Sequence, residues 1–236
     1  MELVAAVRER KSIRAFRPDP VKKETIREIL EIAGRAPSAT NVQPWEFNVI
    51  TGAVLDEIRR VHLDMLNAGT LPNQDFYFNY WPPGSVYHER QVELARLIFD
   101  LMGISREDRV KRAQWLERGF RYFDAPAAII IAVDRSIPEA TQLIDIGAVM
   151  QTICLVALNY GLGTCIAYQG VMYPDALRKI AGIPESKRLL VSIAVGYPDW
   201  DFPANKLVSS RAPLESITTW IGFESNADAL HINNDG

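Results

Sequence analysis

Histidine and cysteine are scarce in this sequence: three and two among 236 residues, too few and too scattered to build a metal centre or a disulfide framework. Cys154 and Cys165 lie in apolar surroundings without a C-x-x-C spacing, and both read as reduced core residues. His62, His88 and His231 are far apart and read as ordinary packed or surface residues. Basic excess is also missing, with 26 Lys and Arg against 29 Asp and Glu, so no broad positive field exists to attract a nucleic-acid backbone. A cation that binds an anionic ligand must therefore act locally. No G-x-G-x-x-G fingerprint marks a separate dinucleotide domain. The longest apolar stretch, Ile144 to Leu158, is broken by Asp145, Gln151 and Thr152 and falls short of the roughly 20 residues needed to cross a bilayer, so no membrane span is expected. The N-terminus lacks the apolar core and cleavage site of a secretory signal, and a cytoplasmic location is the expectation.

What remains is enough apolar material, 48% of residues, to bury one substantial core. One domain over residues 1–223 is expected, with a tail at 224–236 that is frayed or docked on a partner chain. Ile26, Ile29, Leu30 and Ala33 follow helical spacing, and Gly34 and Pro37 end that helix. Helical patterns also cover Leu3 to Glu9, Val54 to Leu66, Glu89 to Met102, Arg106 to Phe123, Ala140 to Tyr160 and Pro174 to Ala181. Trp45 to Ile50 alternates as a strand, whereas Ala127 to Val133 and Leu189 to Val195 are continuous apolar runs, as expected of strands buried on both faces. The order is α+β with helices predominating. The helix at Ile144 to Leu158 is apolar nearly all round and must be covered on every side, either within one chain or by a second copy.

Four clusters could carry chemistry. Arg10, Lys11, Ser12 and Arg14 follow the first helix, and an extended chain there points Ser12 and Arg14 to one side; guanidinium, ammonium and hydroxyl together suit a phosphate. The loop Pro37 to Trp45 is dense in hydroxyl and amide groups between two prolines. Gly161 to Gly170 reads as a helix cap, then a short strand ending at Gln169-Gly170, where glycine lets backbone N–H groups approach a flat ligand. Arg211 closes the series ahead of Pro213. Each cluster alone has a plain structural reading as a solvated face, a connection or a turn.

In this order and spacing the four resemble the nitroreductase family, over Val4 to about Ile221. The likeness rests on R-x-S-x-R from Arg10, APSATNVQPW from Ala36, GLGT from Gly161, VGYP from Val195 and R-x-P-L from Arg211. The resemblance implies an α+β fold with a central mixed β-sheet flanked by helices, in an intertwined homodimer that binds FMN between its subunits. Arg10, Lys11, Ser12 and Arg211 would then hold the phosphate and ribityl end, and Arg14 would approach the pyrimidine edge of the flavin. Pro37, Ser38 and Asn41 would reach it from the other subunit, and the Gln169-Gly170 backbone would face N5. The family often has a lysine two residues before the final arginine, where this sequence has Ser209, so phosphate neutralisation would lean on Arg10 and Lys11.

The implied activity is ping-pong electron transfer from NAD(P)H through FMN to a nitroaromatic or quinone-like acceptor, with no catalytic side chain and no metal required. Related chemistries on similar scaffolds are flavin reduction, ene-type reduction, dehalogenation and oxygen-dependent flavin cleavage; a flavin-binding protein without turnover is the non-enzymatic alternative. The irregular segment Gly69 to Tyr87 is a lid candidate, in which Tyr80 and Trp81 could stack on a planar acceptor, or else a hydrophobic loop buried against the partner.

Overall fold

A computed structural model describes residues 2–76 and 81–223, apart from the side chains of residues 139–142. Among the described residues there are seven α-helices and one four-stranded sheet. The strands are β1 (Glu46–Thr51), β2 (Ala127–Asp134), β3 (Gly163–Ala167) and β4 (Lys187–Gly196), in the order β1-β2-β4-β3. The helices are α1 (Leu3–Glu9), α2 (Lys23–Ala33), α3 (Gly52–Asn67), α4 (Val86–Met102), α5 (Arg109–Phe120), α6 (Glu139–Leu158) and α7 (Pro174–Ala181).

The continuous apolar runs of β2 and β4 are explained by two cores, one on each face of the sheet. Ala128, Ile130 and Ala132 of β2 meet Leu55 and Ile58 of α3 and Leu177 of α7 on one face. Ala127, Ile129, Ile131 and Val133 meet Ile26 and Ile29 of α2 and Val149 and Ile153 of α6 on the other. Each fully buried isoleucine contributes about 2 kcal/mol, so a charge placed at any of these positions would break the layer it faces.

The expected mixed sheet is corrected here: every pair of named strands is antiparallel. The chain does cross from β2 through α6 to β3, but β4 fills the slot between those two strands and reverses both neighbouring contacts. Parallel pairing among the described residues is reduced to the isolated bridge between Ser12 and Thr164. Through that bridge, and through Ile13 N–H donating to Thr164 O at 2.9 Å, the segment after α1 lies along the outer edge of β3.

Helix ends follow capping chemistry. Ser85 accepts from His88 N–H at 3.2 Å, which starts α4 three residues before its apolar pattern, and Gly103 ends it with φ 61°. Asp108 caps α5 by accepting from Lys111 N–H at 2.9 Å. That helix stops at Phe120 instead of running to Phe123, because Tyr122, Phe123 and Asp124 adopt φ of 56°, 54° and 61°.

Candidate functional site

Ser12, Arg14, Gln169 and Cys165 line one cleft of about 380 Å³, together with Trp115, Gly119, Phe123 and Tyr168. Alternation places them there: Ile13 and Ala15 are buried, so Ser12 and Arg14 turn outward over β3, as the extended reading required. Arg10 is close enough for its charge to act on Cys165. Burial pushes that thiol up to about 11, against the pull of Arg14, a Ser12 hydrogen bond and Arg10. A thiol so held is protonated at neutral pH and supplies shape, not a nucleophile.

Asn205 fixes Arg14 from behind. Its buried amide accepts from Arg14 N–H at 2.6 Å and donates to the carbonyls of Ala15 at 2.8 Å and Asp199 at 2.7 Å. Sequence reasoning passed over it, because an Asn at the start of a surface-like segment carries no signal of three bonds, two of them long-range. Trp115 and Phe123 were also missed; neither belongs to a motif that carries the resemblance.

The other expected residues are spread around this cleft. Lys11 lies with its ammonium 5.3 Å from the Trp200 ring centroid, in a neighbouring groove of about 470 Å³ that also includes Ser209. Arg211 is exposed and folds back, donating to Ser209 Oγ at 2.8 Å and to the Ser210 carbonyl at 2.8 Å. Ser209 thus stands between Lys11 and Arg211, where the family often has a lysine. Pro37, Ser38 and Asn41 line none of these cavities. Their loop is internally braced: Ser38 Oγ accepts from Gln43 N–H at 3.0 Å, and the buried Asp145 carboxylate accepts from Ala39 N–H at 3.2 Å. That accounts for part of the loop's hydroxyl and amide content, while Pro37 and Asn41 remain exposed.

Gly170 is buried, and its lack of a Cβ is a packing requirement. A Cβ there would lie 2.4 Å from both Ser192 Oγ and the Tyr122 ring, and the Gly170 carbonyl accepts from the Tyr122 hydroxyl at 2.6 Å. Gln169 lies across Gly119, whose hypothetical Cβ would fall 2.0 Å from the Gln169 amide oxygen. The corner that supplies Tyr122 and Phe123 is costly, since three consecutive left-handed L-residues lose about 1–2 kcal/mol each. Arg59 of α3 clasps it from both ends by donating to the carbonyls of Arg121 (3.0 Å) and Ala125.

The first half of the lid candidate is tied down. Asp75 accepts from Leu189 N–H at 2.8 Å and pairs with the buried Arg178 and with Arg135. Asn73 N–H donates to Met172 O at 3.2 Å, and Tyr173 donates to Thr70 O at 3.0 Å. Trp81 is half exposed and packs on Tyr87 with ring centroids 5.6 Å apart, whereas Tyr80 lies outside the described residues. No cluster of three or more metal-ligating side chains occurs among the described residues, and no described helix is long and apolar enough to cross a membrane.

Residues 7–197 match the model of the Nitroreductase family. The chain is 32% identical over 218 residues to a nitrobenzene nitroreductase of Ectopseudomonas oleovorans, covering 91% of this chain and 95% of that one. It is likewise 32% identical over 224 residues to a 4-nitrobenzoate reductase of Nocardioides sp. (strain LMS-CY), covering 92% and 89%. Among solved structures, the FMN and NADPH-dependent nitroreductase NfnB from Sphigopyxis sp. strain HMH superposes with a TM-score of 0.90 at 26% identity, over 94% of this chain and all of that one.

Proposed function

The chain belongs to the nitroreductase family, and on that premise we propose that it is an FMN-dependent oxidoreductase that draws electrons from NAD(P)H to reduce nitroaromatic or quinone-like acceptors. The observation that carries the reading is the shared cleft: a guanidinium, a hydroxyl and an amide on Arg14, Ser12 and Gln169 meet the aromatic walls of Trp115 and Phe123. That donor set fits a flat, polar-edged ring with an anionic tail. When bound, FMN would supply the two-electron redox chemistry between the nicotinamide donor and the acceptor.

The protein's own residues bind and orient. Arg14 would stabilise negative charge at the pyrimidine side of the ring. Ser12 and Arg10 would hold the ribityl and phosphate end, with the half-buried Lys11 and the exposed Arg211 reaching it by side-chain rotation. The Gln169–Gly170 backbone would serve the N5 side.

Pro37, Ser38 and Asn41 would complete the site from a second copy, making the working unit a homodimer. Support comes from apolar surface that one chain leaves open: Ile144 on α6 is 81% exposed and Leu3 on α1 70%. Ile221 and Phe223, near the end of the described residues, are also exposed. We place the protein in the cytoplasm, where reduced nicotinamide is available.

The test is anaerobic addition of NADPH, then NADH, to FMN-loaded protein, followed by nitrobenzene, 4-nitrobenzoate and a quinone. Bleaching by a donor and recolouring by a nitroaromatic are expected. Bound flavin that neither donor bleaches would favour a binding protein, and recolouring only by free flavin would favour a flavin reductase. An Arg14→Ala variant should bind FMN at least tenfold more weakly.

A further inference from the structure

One short stretch of chain, of which the cofactor reading uses only Phe123, holds Arg14 and Gln169 of the cleft and the adjoining Gly170. Arg118 Nη2 donates to the Arg14 carbonyl at 2.9 Å. Gly119 receives the Gln169 side chain, and the Tyr122 hydroxyl holds the Gly170 carbonyl at 2.6 Å. Phe123 forms part of the cleft wall itself. Asp124 ties the stretch together, pairing with Arg118 at 3.2 Å and with Arg121 at 2.8 Å.

The backbone of this stretch is left-handed at three successive non-glycine residues, a conformation that persists only where the surroundings over-determine it. The surroundings do so here. Arg59 grips the carbonyls on both sides of the corner, Tyr122 is fully buried, and its ring presses the face of Gly170 where any Cβ would collide. A relaxed right-handed course would turn Tyr122 away from Gly170 and release Phe123 from the cleft.

We infer that the corner Tyr122–Asp124 is the positioning unit of the cofactor cleft, and that Tyr122 acts through the Gly170 carbonyl to set the backbone at the N5 side of the flavin. Tyr122 is a positioning residue, not a catalytic one, because a fully buried hydroxyl engaged with a carbonyl does not reach the cleft. Arg59 serves the same purpose from the far side of the corner. The inference rests on the FMN reading above and adds to it the residues that hold the flavin's redox environment.

The experiment compares wild type with Tyr122→Phe, both loaded with FMN. Flavin affinity, the two-electron midpoint potential and the anaerobic rate of reduction by NADPH are measured beside the melting temperature. Tyr122→Phe is expected to bind FMN within about threefold of wild type, while its redox equilibrium shifts about tenfold, read as about 30 mV for a two-electron couple. Reduction should slow by a similar factor. A lower melting temperature with unchanged potential and reduction rate would overturn the inference, leaving Tyr122 as packing alone. If Tyr122→Phe does not fold, Arg59→Met decides, since Arg59 does not line the cleft: a shifted potential that Arg59→Lys partly restores supports the inference, and an unshifted one overturns it. Wild-type protein that takes up no FMN overturns this inference and the reading beneath it together. Loaded, reducible wild type with indistinguishable variants overturns this inference alone.

Discussion

Acidification should weaken this protein through His62, starting above the ordinary carboxylate range. His62 is fully buried on α3, with Tyr122 and Tyr173 rings at 6.2 and 5.7 Å. Neither ring nitrogen has a hydrogen-bond partner of normal geometry, and the Phe120 backbone offsets only part of the burial. Desolvation therefore drives the imidazole down from 6.5 to about 4. An unfolded chain takes up a proton at His62 near pH 6.5, and the folded chain resists until about pH 4. The unfolded state binds more protons across that interval, so stability falls as pH drops through it and levels off below. At 1.36 kcal/mol per tenfold difference in proton affinity, the loss approaches about 3 kcal/mol, a large part of a typical domain's 5–15 kcal/mol. Urea unfolding followed by tryptophan fluorescence at several pH values between 7.5 and 4 measures it, with His62→Phe as the reference. The variant should lack this slope. Parallel stability curves for the two proteins would refute the argument. Asp134 does not confuse the result: Ser136 and Lys187 hold its carboxyl below the ordinary range, so its contribution is lost only at lower pH.

Other outcomes follow from contacts around the site. Arg178→Met removes the buried partner of the Asp75 carboxylate and leaves it only Arg135 and the Leu189 N–H; a loss of about 1.5–3 kcal/mol, measured by chemical denaturation, and faster hydrogen exchange over residues 70–76 are expected. Asn205→Ala removes the partners of one N–H and two carbonyls; a loss of about 3 kcal/mol and weaker FMN binding in a fluorescence titration are expected. Trp81→Ala should raise acceptor KM severalfold in steady-state assays while the rate of reduction by NAD(P)H stays within about twofold, if its half-exposed ring serves the acceptor. Unchanged acceptor kinetics would remove Trp81 from the substrate site.

Periodicity made most of the architecture legible. The burial of β2 and β4 on both faces was implied by uninterrupted apolar runs, and α7 occupies the residues its pattern marks. The end of α5 was hidden, since Arg121-Tyr122-Phe123-Asp124 offers helical spacing and no glycine, and only tertiary clasping makes the left-handed corner tolerable. The antiparallel sheet was hidden for a related reason: whether β4 enters between β2 and β3 depends on long-range pairing that local pattern does not encode. Ser12, Arg14 and Gln169, singled out by motif order, lie together in one cleft. The contacts of Asn205 and Arg59 and the place of Trp115 in the cleft wall depend on geometry that no motif records.

The Asp75 clasp and the Ser85 cap have a bearing on how such an enzyme could diversify. Each is anchored in its own scaffold, one to Arg178 and β4, the other to the start of α4. Lengthening the chain between them is cheap, since doubling such a connection costs only about 0.6 kcal/mol. New acceptor preferences could be grafted between two fixed posts while the electron-handling half of the protein stays untouched.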